Sequence, residues 1–372
     1  MITDQQAFPG ITPASWEHPA DRAALRALKS VPGMDDIVKW FLGATTEKSL
    51  RLLFLSSSVR VSETQFPRVH QALVTACRVL DVPDLPEVYV TQNPVMNAGA
   101  IGVDKAFIAL NSGLVERASD DELLFVVAHE LGHILSGHVL YLTVLWLLVN
   151  AGAGLVRLPL TGLVLMGVLA ALREWQRRAE LSCDRAALLV TQDREIGTDV
   201  LMKLAGGGQT DQMDTAEFLR QAEEYDASTS VTDSIYKLLN LIGQTHPFPV
   251  LRVAGLREWA ESTEYDAILR GDYPKAGTAE EEQLNEELDR AARAYREEFQ
   301  NSRDPLAQMA GRLADGFDNV RKEAEGFFAS FFGGSGGGSS AGSGPSSDAG
   351  SSDRHSASNG TTSDTEEDDS DA

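Results

Sequence analysis

Three observations in the sequence predict a mainly α-helical chain with one small β-sheet and a hydrophobic helical hairpin. Apolar residues recur at helical spacing through most of the 372 residues. Short β-type runs are confined to a stretch ending near Ser112. A run almost free of charge occupies residues 139–172. At 43% apolar content the chain can bury a sizeable core.

In chain order, "ADRAALRALKS" and "MDDIVKWFLG" within Pro19–Thr45 read as amphipathic helices. "SLRLLFLSSSVRVS" reads as a strand and Phe66–Leu80 as a helix. "EVYVTQ" and "AFIALNS" then read as strands flanking a Gly-punctuated turn. Ser119 with Glu122 forms a capping-box pattern, and Asp120 and Asp121 suit the positive end of a helix dipole, so a helix is expected to start there. No proline follows until Pro159, so this helix can run past His138 into the apolar run. Charged helix resumes at "REWQRRAELSCDRAALLVTQD", with shorter helices to about Tyr265. The expected organisation is an N-terminal helical segment (1–60), a central domain (61–265), an amphipathic helical extension (278–332) and a tail (333–372). The Gly/Ser-rich acidic tail cannot bury enough apolar surface to order itself.

The net charge is −23, and between Gly333 and Ala372 eight acidic residues face Arg354 alone. Such a surface repels nucleic acid, so DNA and RNA are set aside as partners. Cys77 and Cys183 lack paired spacing, which argues against a disulfide framework and fits a reducing compartment. The first residues carry neither a basic segment nor an apolar one of the secretory kind.

The chemistry is concentrated in "DDELLFVVAHELGHILSGH", which sets a Glu and three His in a core-like run. Buried charge and imidazole are costly unless paired or bound to a metal. His129-Glu130-Leu131-Gly132-His133 is an H-E-x-x-H: residues four apart share a helix face, so His129 and His133 can offer two imidazoles to one Zn²⁺ beside Glu130. A carboxylate there can act as general base toward water. The bland alternative is two core histidines and a chance Glu, which the capped helix and apolar flanks disfavour. Ser136 and Val139 stand where the metzincin continuation needs Gly and His, which excludes that class. A third ligand must come from elsewhere. Glu180 and Asp184 share one face of "RRAELSCDRAAL", either as ligand and hydrogen-bond partner of an imidazole or as a solvated helix face. Cys183 points away from that face and is a poor ligand.

H-E-L-G-H, a further His five residues on, then E-L-S-C-D, together resemble the HtpX and CAAX-prenyl-protease family of gluzincin metallopeptidases, with its H-E-x-x-H and later E-x-x-x-D. "MNAGAIG" resembles the family's Asn-Ala strand, with Gly99 where Phe is usual, and "THPFPVLR" resembles its late His-Pro-x-x-x-x-Arg element. The likeness covers about Val61–Trp259. It implies one zinc ion held by His129, His133 and Glu180, with Asp184 beside them and Glu130 as base. It implies that Asn97 and Ala98 run beside a substrate cleft, and that His246 or Arg252 stabilises the oxyanion. For these last two, a helix start at His-Pro and a pairing of Arg252 with Asp184 stand as alternatives. The implied activity is a zinc metalloendopeptidase acting on proteins or peptides, with membrane-protein quality control as one setting. A catalytically idle, metal-stabilised scaffold that recruits partners is the alternative. Specialisation for prenylated C-termini would call for more spans than this chain offers.

Val139–Val156 and Leu158–Leu172 can form a hairpin through a bilayer, with Arg173, Arg177 and Arg178 on the cytoplasmic return. The expectation is a cell-membrane protein in contact with lipid, its catalytic site facing the cytoplasm. A hairpin buried in a soluble cytoplasmic body is the other reading, since the second run is short and contains Pro159, Gly162 and Gly167.

Overall fold

Helices account for most of the described residues in the computed structural model, which describes residues 5–31, 33–44, 47–150, 162–227 and 249–300. Helices α1 (Pro19–Lys29), α2 (Met34–Ala44) and α3 (Glu47–Ser57) lead into strand β1 (Ser58–Arg60). Helix α4 (Pro67–Val79) precedes β2 (Val88–Thr91), β3 (Ala98–Ile101) and β4 (Phe107–Asn111). Then come α5 (Ser112–Arg117), α6 (Asp120–Leu135), α7 (Val139–Asn150) and the long α8 (Gly162–Thr191). Helices α9 (Ile196–Gly206), α10 (Thr215–Ala227), α11 (Pro249–Ala260), α12 (Thr263–Leu269) and α13 (Ala279–Gln300) complete the described part.

The four strands form one mixed sheet in the order β1-β2-β4-β3. β2 and β4 pair in parallel, while β1 and β3 pair antiparallel at the two edges. Side chains alternate across a strand, and here both faces are buried. Val88, Val90, Ile108 and Leu110 join α4, α6, the end of α8, α9 and α11 in one core. Tyr89, Ile101 and Phe107 turn the other way, into a second core with α2, α3, α7 and the first half of α8. Phe54 and Tyr89 both meet Phe107 edge-on there, with ring centroids 4.9 and 5.4 Å away. Such aromatic geometry adds to the stabilisation from area burial.

Two expectations need correction. Residues expected as one strand from Ser49 to Ser62 are mostly α3, with only Ser58–Arg60 extended. Leu50 and Phe54, four apart, both bury into the second core, so a helical face outweighs the β-type character of the run. Helix α6 also stops earlier than its apolar continuation suggests. The capping box at Ser119 and Glu122 starts α6 with both reciprocal hydrogen bonds in place. At the far end Gly137 takes φ 71°, in the left-handed region that favours glycine, and α7 leaves at a bend of 105°.

Residues 151–161, the expected tip of the hydrophobic hairpin, lie outside the described residues, as do His246 and everything beyond residue 300. Among the described residues no single helix is long and apolar enough to cross a membrane; α6 and α7 reach that composition only as the bent pair.

Candidate metal centre

Helices α6 and α8 cross with very little between them, which brings the two chemical motifs together. A Cβ placed on Gly132 would stand 3.1 Å from Ala186 Cβ and 3.3 Å from Cys183 Cα, so the glycine permits this approach. His129, Glu130 and His133 on α6, Glu180 and Asp184 on α8, and Arg252 on α11 are each at most 4% exposed. Six ionisable groups sealed at the junction of two apolar cores require mutual pairing or an ion.

His129 Nε2 lies 3.4 Å from Glu180 Oε2, and His133 Nε2 lies 3.6 Å from Glu180 Oε1. The three donor atoms offered by these residues fall within 4.8 Å of one another. Tetrahedral zinc with ligands at about 2.0–2.1 Å separates them by roughly 3.4 Å, so the spacing and the His₂-carboxylate chemistry both fit such an ion. His129 Nδ1 is 3.0 Å from Asp184 Oδ1 and donates to it, which leaves Nε2 to face the cluster. Arg252 donates from Nε and Nη2 to Asp184 at 2.8 and 2.5 Å, and its Nη1 lies 2.8 Å from Glu180 Oε2. This is the pairing with Asp184 that the sequence left open, extended to Glu180 as well.

The electrostatics follow from this packing. Burial would raise the Asp184 pKa, but the Arg252 guanidinium and the hydrogen bond from His129 hold it below the ordinary carboxylate value. Burial pushes His133 down to about 4, leaving a neutral ring with a lone pair to give. Burial also opposes charge on His129, yet the Asp184 and Glu180 carboxylates overcome it and raise the metal-free ring to about 9. A proton there answers the carboxylate charge in the position a cation would occupy.

Asn97, Ala98, Phe125, His129, Glu130 and Arg252 line one narrow cleft. Ala98 begins β3, the sheet edge that packs beside α6. His246 lies outside the described residues, so its relation to the cleft is not among the geometry described.

On the far side of His133 lies His138, which the sequence suggests is structural rather than a ligand, together with a partner that the sequence did not indicate. His138 Nδ1 is 3.1 Å from His133 Nδ1, and His138 Nε2 is 3.1 Å from Asp21 Oδ2. Cys183 Sγ, 3.7 Å from His138 Nδ1, completes a second group of potential ligands with His133 and His138. Burial and the surrounding carboxylates raise the Cys183 thiol well above its ordinary pKa, which favours the protonated form over a ligand. The local signal for His138 was present in "HILSGH", where a glycine can end the helix and fold the next His back. Asp21 had none, because its partner lies on the other side of the fold.

Peptidase family M48 matches residues 63–260. The Plastoglobule-localized metallopeptidase 48, chloroplastic, of Arabidopsis thaliana is 37% identical over 269 residues, covering 71% of this chain and 77% of that protein. Protease HtpX homolog 2 of Methanosarcina mazei is 27% identical over 233 residues, 56% of this chain and 77% of its own length. A Protease HtpX homolog of Tropheryma whipplei is 37% identical over 104 residues, 27% of this chain and 35% of that protein. No solved structure matches the chain at a significant level. The match spans strands β2 to β4, both helices of the buried cluster and Arg252, so this chain belongs to peptidase family M48 as an HtpX-like metallopeptidase.

Proposed function

We propose that the protein is a zinc-dependent metalloendopeptidase of the gluzincin type, in which His129, His133 and Glu180 hold the ion and Glu130 is the general base. The observation that carries this reading is the convergence of the His129, His133 and Glu180 donor atoms within 4.8 Å, with Glu130 in the same cleft. When bound, zinc supplies a Lewis acid that polarises the scissile carbonyl and makes water more acidic.

The chain's own residues do the rest. A Glu130 carboxylate oxygen takes a proton from the attacking water and returns it to the nitrogen of the departing amine. Asp184 accepts from His129 Nδ1 and fixes that ring with Nε2 inward. Arg252 acts as a positioning residue, aligning Glu180 and Asp184 and offsetting their charge. That commitment favours His246 for the oxyanion. Asn97 and Ala98, along the cleft, orient an extended substrate peptide.

The proposed domain runs over 61–265, with the hydrophobic hairpin of 139–172 inside it and the acidic segments after it. Its proposed setting is a cell membrane with the site on the cytoplasmic side, acting on membrane proteins. Support comes from the uncharged α7 and from Leu42, Leu52, Leu53, Leu55 and Val149, large apolar side chains exposed on α2, α3 and α7.

The test is metal analysis of the purified full chain beside a casein-digestion assay with and without chelator. The expected result is stoichiometric zinc and cleavage that chelator abolishes and zinc restores. Stoichiometric zinc without cleavage would favour the idle scaffold, against which Glu130 argues, since a structural ion needs no carboxylate beside an open position.

A further inference from the structure

Helix α1 lies before the residues matched by the family, yet it reaches the metal centre through the Asp21 side chain. The Gly137 break turns His138 back over the last turn of α6, where its carbonyl accepts from Leu142 N at 3.1 Å to start α7. From that position its ring bridges His133 and Asp21, at 3.1 Å on either side. Asp21 Oδ2 also accepts the Ser182 hydroxyl at 2.6 Å, and Ser182 Oγ accepts the His18 backbone N–H at 3.0 Å. Asp21, His133, His138 and Ser182 are all fully buried.

Proton bookkeeping allows one arrangement of this chain. Two facing ring nitrogens need one donor and one acceptor. A His133 that ligates through Nε2 carries its proton on Nδ1, and so donates to His138 Nδ1. The His138 proton is then on Nε2 and is donated to Asp21. The reverse arrangement would put a proton on His133 Nε2, where it would block the ion. Each link is buried among apolar and polar protein groups, so an unsatisfied member would carry its full desolvation cost.

We propose that Asp21 and His138 are positioning residues of the metal centre: the chain Asp21–His138–His133 fixes His133 in the tautomer whose Nε2 faces the ion. The inference rests on His133 Nε2 being a ligand. Each ligating imidazole then ends on a buried carboxylate, His129 on Asp184 of α8 and His133, through His138, on Asp21 of α1. The N-terminal segment is thereby a working part of the site.

Two measurements on the full-length, zinc-loaded protein test this. Long-range proton–nitrogen correlation with ¹⁵N-labelled histidine reads the tautomer of each ring in the unaltered chain. His138 should carry its proton on Nε2, with His133 protonated on Nδ1. Zinc affinity by competition with a chromophoric chelator should fall about 10–100-fold in Asp21→Ala. Asp21→Asn should recover part of the loss, because its amide oxygen still accepts from His138. A His138 protonated on Nδ1, a metal signature on His138, or zinc affinity within about twofold of wild type in a folded Asp21→Ala would overturn the proposal. If Asp21→Ala does not fold, the wild-type tautomers decide alone. Zinc bound without His133 Nε2 would instead overturn the ligand assignment, and this inference with it.

Discussion

Arg252 touches both carboxylates of α8 that face the histidines, and its removal would leave Asp184 and Glu180 buried without their guanidinium. Breaking a buried pair from one side costs about 3–5 kcal/mol. Arg252→Met should therefore lower the unfolding free energy read from denaturant titration by an amount of that order in zinc-free protein; a loss under about 1 kcal/mol would mean that water or relaxation replaces the contact. Glu180→Ala should lower zinc content together with activity, while Asp184→Asn should keep the ion but weaken its affinity about 10–100-fold, both read by metal competition. Much of this residue-level design was legible: the i, i+4 spacing of His129 and His133 and of Glu180 and Asp184 put each pair on one helix face before any fold was known. The Asp21–His138 contact was not, because hydrogen bonding between distant segments leaves no periodicity in sequence.

Between residues and molecule, α6 and α8 set the dimensions of the site. Gly132 lets them approach, and a methyl group there would meet the Cys183 backbone at 3.3 Å, which a helix cannot easily yield. Gly132→Ala should cost about 1–3 kcal/mol of stability by overpacking and weaken zinc binding, because it separates the helices that bear the ligands. Ser119→Ala removes the cap at the other end of α6 and should cost about 1 kcal/mol with zinc affinity unchanged, a contrast that thermal melts and metal titration can read together. Existence and type of most elements followed from period and capping signals. The misread stretch before β1 and the early stop of α6 have different causes: tertiary burial decided the first, and a single left-handed glycine the second.

For the molecule as a whole, the sheet is a middle layer between two cores, and the N-terminal residues belong to them. Phe8 and Trp16 lie in the first core and Leu28 in the second, each at most 1% exposed. Deleting residues 1–30 should thus give aggregated or unfolded protein by circular dichroism, whereas deleting 333–372, whose composition cannot build a core, should leave the melting temperature unchanged. If the proposed hairpin enters a bilayer, the protein should resist carbonate extraction, and Asp at Leu148 or Leu165 should disfavour insertion by about 2.5–3.5 kcal/mol each. Recovery of the wild-type protein in the soluble fraction without detergent would contradict that placement while leaving the chemistry intact.

In the proposed mechanism Glu130 serves as the base of a zinc site it does not help to build. The most direct measurement of that role is zinc content and casein cleavage in Glu130→Gln, a nearly isosteric change at a residue not assigned as a ligand. Zinc should stay at the wild-type level with proteolysis lost; zinc lost along with activity, or turnover near wild type, would contradict that role for Glu130.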